Sequence, residues 1–263
     1  MALPPSPTLA PRAFVPDWPA PRGVCALCTT RQGGASVAPF DSFNLGDHVR
    51  DDPAAVLANR ATLATLCAPA RPVYLQQVHG NDVVSLDADS TDGTVADAAL
   101  VVAPGTAATI MVADCLPVLL AHTQGCAVAA AHTGWRGLAG GVLERAVQAL
   151  RDAAGHGEVI AWLGPAIGPT AFEVGDEVRA AFVSADPTAA AHFRPHATPG
   201  KWWADLPGLA CQRLVTAGVT SIHGNDGSAD WCTVSQPSRF FSHRRDAARL
   251  GSTGRFAACI WIE

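Results

Sequence analysis

The sequence predicts an α+β, mixed α/β fold: a single domain over residues 23–263, with clustered mixed β-sheets flanked by helices, behind a Pro-rich lead-in over 1–22. Three observations predict it. Short apolar, β-branched segments crowd into the stretch from 72 to 132, more closely than a regular alternation of strand and helix allows. Helical periodicity appears on both sides of that cluster. No fixed-period repeat and no linker-like tract divides the chain.

Taken in order, "MALPPSPTLAPRAFVPDWPAPRG" is broken by prolines and reads as a surface lead-in. A strand is expected over about 23–31, then the turn "RQGGAS" and the loop "FDSFNLGDHVRDDP". Pro53 suits the first turn of a helix capped by Asp51 or Asp52, which "AAVLANRATLATLCA" continues. Strands are expected at "PVYLQQV", "DVVSLD", "AALVV", "ATIMVA", "LPVLLA" and "CAVAAAH". The clearest helix runs from about 137 to 154. It puts Val142, Ala146, Ala149 and Leu150 on one face and Glu144, Arg145 and Gln148 on the other, and Gly155 stops it. "VIAWLG" reads as a strand, about 175–184 and 205–217 as helices, and "SRFFSH" and "RFAACIWIE" as closing strands.

Composition excludes several classes of function. Hydrophobic residues make up 49% and charged residues 16%, which describes a globular core rather than a disordered chain. The net charge is −5 and the nearest basic tract, "SHRRDAAR", is short and interrupted, so a nucleic-acid partner held through its phosphates is not expected. No 18-residue apolar stretch is free of polar breaks, so no membrane span is expected. Eight cysteines without a secretory signal point to free thiols in the cytoplasm. Cys25 and Cys28 form a CxxC, but "GVCALCTTR" alternates like a strand and lacks a second pair to close a zinc site. A monomer is compatible with the sequence.

The chemistry centres on "VADCLPVLL", where Asp114 and Cys115 interrupt a run that otherwise reads as buried strand. A buried cysteine packs as a small hydrophobe by default, but a carboxylate beside it needs a partner. His79 in "YLQQVHGND" and His132 in "AVAAAHTGWRG" each end a strand-like run. The three residues are separated by 35 and 16 intervening positions, too far apart for a compact zinc ribbon. That spacing suits a three-ligand site at one edge of a sheet, with a fourth position open, as in catalytic zinc. Each histidine is also readable as a hydrogen-bonded polar residue at a strand end. "TGWRGLAGG" leads into the best helix, so Arg136 and the helix N-terminus form a candidate anion cradle, or a tight turn with a solvated arginine. His243, Arg244 and Arg245, with Arg255 further on, suit a phosphate or a solvated face. Arg31, Asn44 and Asp47 belong to glycine-containing loops that suit a pocket lining or simple turns.

The strings "TTRQGGAS", "FNLGDHVRDDPAAVLANR", "QQVHGNDVV", "ADAALVV", "ADCLPVLL", "AHTGWRGLAGG", "GPAIGPTAFEVGDEV", "KWWADL" and "SHRRD…TGR", in this order, cover the chain from about residue 23 onward. Together they resemble the laccase-domain or polyphenol-oxidase family, now viewed as purine nucleoside phosphorylases. The resemblance implies a catalytic zinc on His79, Cys115 and His132. It implies phosphorolysis of adenosine, inosine and methylthioadenosine to free base and a ribose 1-phosphate, with adenosine deaminase activity attributed to the same family. The substrate and phosphate then fall to Arg31, Asn44, Arg136, His243, Arg244 and Arg245, and Asp114 orients a ligand or moves a proton. Copper-dependent phenol oxidation (Cu2+ in place of zinc) and a peptidoglycan-editing role without nucleoside turnover are the alternatives the family offers. "AARLGS" lengthens the segment before Arg255, and "CTVSQPSRFF" lacks the aromatic that the resemblance leads one to expect near Val234.

Overall fold

Two large sheets packed face to face, each covered on its outer side by helices, make up the architecture. The computed structural model describes residues 12–155 and 157–263, so most of the lead-in lies outside the described residues. The chain enters through β1 (Ala13–Phe14), β2 (Val24–Thr29), α1 (Pro53–Cys67), β3 (Arg71–Tyr74) and β4 (Val83–Leu86). It continues through β5 (Ala98–Val101), β6 (Thr106–Val112), β7 (Leu116–His122) and β8 (Val128–Thr133). Then come α2 (Trp135–Ala139), α3 (Val142–Ala154), β9 (Val159–Leu163), β10 (Glu173–Gly175) and α4 (Asp176–Val183). A 3-10 turn, Pro187–His192, leads to β11 (Phe193–Pro195), β12 (Lys201–Ala204) and α5 (Leu206–Thr216), and the chain ends in β13 (Ser221–Gly224), α6 (His243–Leu250) and β14 (Phe256–Ile262).

One sheet has the order β1-β2-β14-β6-β3 and a second β13-β9-β7-β8-β5-β4; a small third sheet is β10-β12-β11. Both large sheets are mixed: β3 runs parallel to β6, and β4 parallel to β5, among antiparallel neighbours. The mixed α/β class expected from the sequence is the one observed. Strand alternation produces the layers. Ala108, Ile110 and Val112 of β6 face Leu119 and Ala121 of β7, filling the space between the sheets with Trp162 and Phe256. The alternate residues of β7, Val118 and Leu120, turn outward onto Leu143, Val147 and Leu150 of α3. On the opposite side Ala107 and Met111 pack with Leu63 and Cys67 of α1.

Several sequence expectations need correction. The helix expected over 137–154 is two helices, parted at Gly140–Gly141; Gly141 adopts φ +90°, a left-handed conformation that halts α2 before α3 begins. "SRFFSH" is not a strand. Phe240 and Phe241 are buried as anchors, and Ser242 caps α6 by accepting the Arg245 N–H at 3.2 Å. "PVYLQQV" leaves its ladder after Tyr74, so His79 sits in a loop rather than at a strand end. Cys115 lies outside the strands too: residues 113–115 form the bend between β6 and β7, where the chain crosses from one large sheet to the other. The α1 expectation holds, with Asp52 as the cap, its carboxylate accepting the Ala54 N–H at 3.1 Å.

Candidate metal centre

The crossing from β6 to β7 is where the chemistry gathers. It carries Asp114, held at φ +89°, and Cys115. His132 comes from β8, the neighbour of β7, and His79 from the loop after β3, itself at φ +62°. Non-glycine residues rarely adopt such angles, and two of them at one site mark a constrained geometry. The ligand atoms of His79, Cys115 and His132 all lie within 4.8 Å of one another, and Cys115 Sγ is 3.7 Å from His79 Nε2. A tetrahedral metal bound through N and S at about 2.1 and 2.3 Å spaces two ligands by about 3.5 Å, close to the Cys115–His79 separation, and two imidazoles with a thiol are a donor set that metals such as zinc accept. Gly134 permits the approach: a Cβ there would meet His79 Cδ2 at 2.7 Å and Cys115 Sγ at 3.1 Å.

A residue the sequence reading passed over holds two ligands in place. Asp97, fully buried immediately before β5, receives the His132 Nδ1–H on Oδ1 at 2.7 Å. The same carboxylate accepts the backbone N–H groups of Val78, His79 and Gly80 at 3.1, 2.9 and 2.7 Å. His132 is thereby left with Nε2 for a metal, and the His79 loop is fixed against the same acid. Burial raises the Cys115 thiol, but the charge and hydrogen bond of His132, with a hydrogen bond to His79, outweigh it and bring the pKa down to about 6. Burial likewise lowers His132, yet Cys115 and Asp97 raise it to about 9. Without a metal the pair is thiolate and imidazolium at neutral pH, and a metal bound at His132 Nε2 would displace that proton.

The triad forms part of the wall of a cavity of about 870 Å³. Of the residues expected at a site, His79, Asp114, Cys115, His132, Arg136, His243 and Arg244 all line it, as do Asp47 and Arg255. Three others lie elsewhere. Arg31 donates to the Asp41 and Pro237 carbonyls at 2.8 and 3.1 Å and pairs with the Asp41 carboxylate at 3.2 Å. Arg245 is tied to Asp246 and to the carbonyls of Thr233 and Phe240. Asn44 is fully buried and bonded to the backbone around Gly46 and Arg255. Asp114 lines the cavity with both oxygens engaged: they accept the Thr233 hydroxyl and the backbone N–H of Arg244, both at 2.6 Å. That carboxylate occupies the N-terminus of α6. Arg136 sits on the five-residue α2, exposed and stacked 4.4 Å over Trp135, so the long helix expected behind it is absent.

Fold and site together define a mixed α/β protein with a two-histidine, one-cysteine centre at the seam of its two large sheets. The chain belongs to the family described as multi-copper polyphenol oxidoreductase laccase, whose model matches residues 25–263. It is 52% identical over 250 residues to a purine nucleoside phosphorylase of Pseudomonas aeruginosa, covering 95% of this chain and 98% of that one. It is 48% identical over 252 residues to the purine nucleoside phosphorylase YfiH of Escherichia coli, covering 95% and 99%. Among solved structures, a Neisseria meningitidis protein superposes with a TM-score of 0.85 at 42% identity, covering 96% of this chain and 100% of that one. YlmD of Geobacillus stearothermophilus gives a TM-score of 0.83 at 32% identity, covering 92% and 93%.

Proposed function

We propose that this chain is a purine nucleoside phosphorylase that uses zinc held by His79, Cys115 and His132. One conjunction carries the reading: a three-ligand cluster opens onto a cavity of about 870 Å³, in the size range of small-molecule sites, in a chain 52% identical to a relative named for that activity. Adenosine, inosine and methylthioadenosine are the substrates. A phosphate oxygen bonds to the ribose C1′ as the C1′–N bond to the purine breaks; the electron pair leaves with the base, which then takes up a proton. Zinc at the triad would supply a Lewis-acid position beside the reacting groups. Trp135, Phe172 and Leu206 offer apolar surface to the purine, while Arg136, His243 and Arg244 border it with polar edges. Adenosine deamination at the same centre is the subsidiary activity. No helix among the described residues is long and apolar enough to cross a membrane, and all eight cysteines are free, which fits a reducing cytoplasm.

The family description favours a second reading, copper-dependent phenol oxidation, because two histidines and a cysteine also serve copper. The discriminating experiment incubates adenosine with purified, metal-analysed protein, with and without inorganic phosphate. Adenine plus ribose 1-phosphate formed only with phosphate is the expected result, with about one zinc per chain. Stoichiometric copper with phenol turnover, and no adenine, would overturn it; inosine formed without phosphate would make deamination the main activity.

A further inference from the structure

Four arginines border the cavity, and they differ in what already occupies their donors. Arg60 is neutralised: it pairs with Asp47 at 3.1 Å and Asp92 at 3.7 Å, gives Nε–H to the Leu45 carbonyl at 2.9 Å, and stacks 4.0 Å over Tyr74. Arg244 spends its terminal nitrogens on the carbonyls of Ala171 and Glu173, at 3.5 and 3.0 Å. Arg136 is exposed, so water screens its charge. Arg255 is half-buried. Its Nη1 reaches the Thr253 and Gly254 carbonyls at 3.0 and 3.1 Å, while Nε and Nη2 have no acceptor among the described residues. No carboxylate among those residues lies within 4.0 Å of it.

The backbone around Arg255 is held from three directions. Asn44 Oδ1 accepts the Arg255 N–H at 2.8 Å and the Gly46 N–H at 3.0 Å, and the Arg255 carbonyl accepts the Leu45 N–H at 3.0 Å. Gly46 lies directly on the stem, since a Cβ there would come within 2.8 Å of Arg255 Cγ. The guanidinium is therefore pre-positioned, and the nearby charges of Cys115 and Asp114 attract it without meeting it in an ion pair. A half-desolvated cation gains more from an arriving anion than an exposed one does, and its free edge presents adjacent N–H donors to two oxygens of one ligand.

We propose that Arg255, positioned by Asn44, binds the inorganic phosphate in this cavity. The assignment rests on the phosphorolysis reading for its choice of anion. It gives Asn44, which lies outside the cavity lining, a role at the site through Arg255.

The test uses zinc-loaded protein and two measurements: calorimetric titration with inorganic phosphate, and phosphate KM, adenosine KM and kcat. Arg255→Met is expected to weaken phosphate binding and raise phosphate KM at least tenfold, with adenosine KM within twofold of the unsubstituted chain. Arg255→Lys keeps the charge and the fold but loses the fork, and is expected to show an intermediate rise. Asn44→Asp is expected to raise phosphate KM without changing zinc content, and Arg136→Met to change phosphate binding less than threefold. Phosphate binding within twofold of normal in both Arg255 variants, or a tenfold loss in Arg136→Met alone, would overturn the assignment. An unsubstituted chain that binds phosphate through Arg255 but releases no adenine would sink the phosphorylase reading and leave this site standing. One that binds no phosphate and releases no adenine would remove both.

Discussion

Asp97 is fully buried, and its two oxygens accept four donors, one from His132 and three from the loop that carries His79. In Asp97→Asn one oxygen becomes an NH2 group, which must face either backbone N–H groups or the imidazole N–H, donor against donor. Supporting partners of this kind typically change metal affinity by about 10–100-fold. Zinc binding to Asp97→Asn, measured by competition with a chromophoric chelator, should weaken by that order; unchanged affinity would show that the ligands hold their geometry alone. His79, Cys115 and His132 were legible as candidates because imidazole and thiol stand out in apolar runs. Asp97 was not, because the acid of "ADAALVV" reads locally as a polar residue before a strand. Only the topology, which pairs β5 with β8 and brings the loop of residues 78–80 alongside, shows what it receives. Arg31 and Arg245 illustrate the reverse error: an arginine, in a loop or in the first turn of a helix, signals anion binding and carbonyl clamping equally well.

Among the elements, the break between α2 and α3 has the clearest consequence. A Cβ on Gly141 would find its nearest neighbours at 3.6 and 3.7 Å, ordinary contact distances, so the penalty for a side chain there comes from φ +90° alone. Gly141→Ala should cost about 1–2 kcal/mol, the usual penalty for a left-handed L-residue. Urea unfolding of the variant checks this, and an unchanged midpoint would mean that the two helices can merge without loss. The sequence showed the amphipathic face of α3 well, since Val142, Leu143, Ala146, Val147 and Leu150 are all buried. It did not show where the helix begins, because a glycine pair is compatible with either a weak helix interior or a break. The change of sheet at residues 113–115, between two strands that were themselves legible, was hidden for a different reason. Every residue of β6 and β7 is buried, so no polar alternation marks the point where one sheet gives way to the other.

At the scale of the whole molecule, the mixed α/β class follows from the crowding of short strands, but the four layers depend on non-local pairings such as β14 between β2 and β6. The segment leading into β14 is secured by an ion pair between half-buried Arg245 and buried Asp246. Arg245 donates through Nε and Nη2 to the two oxygens of Asp246 at 2.8 and 2.7 Å, and through its terminal nitrogens to the carbonyls of Thr233 and Phe240. Burial raises the Asp246 carboxyl, but the hydrogen bond and charge of Arg245 outweigh it and hold its pKa below the usual range. Asp205, the cap of α5, is lowered in the same way, burial being outweighed by His192 and the Gly208 N–H. A carboxylate depressed in the folded state stabilises the protein fully above its unfolded pKa of about 4, and that contribution disappears as pH falls through the folded value. The urea midpoint should therefore carry no contribution to its pH dependence from these groups between about pH 6 and 8 and should fall below about pH 4. Asp246→Asn should be less stable than the unsubstituted chain at neutral pH, because Arg245 is left without its counter-charge, and should lose less stability on acidification. Parallel curves for the two proteins from pH 7 to pH 2 would show that the Arg245–Asp246 pair does not set the acid limit.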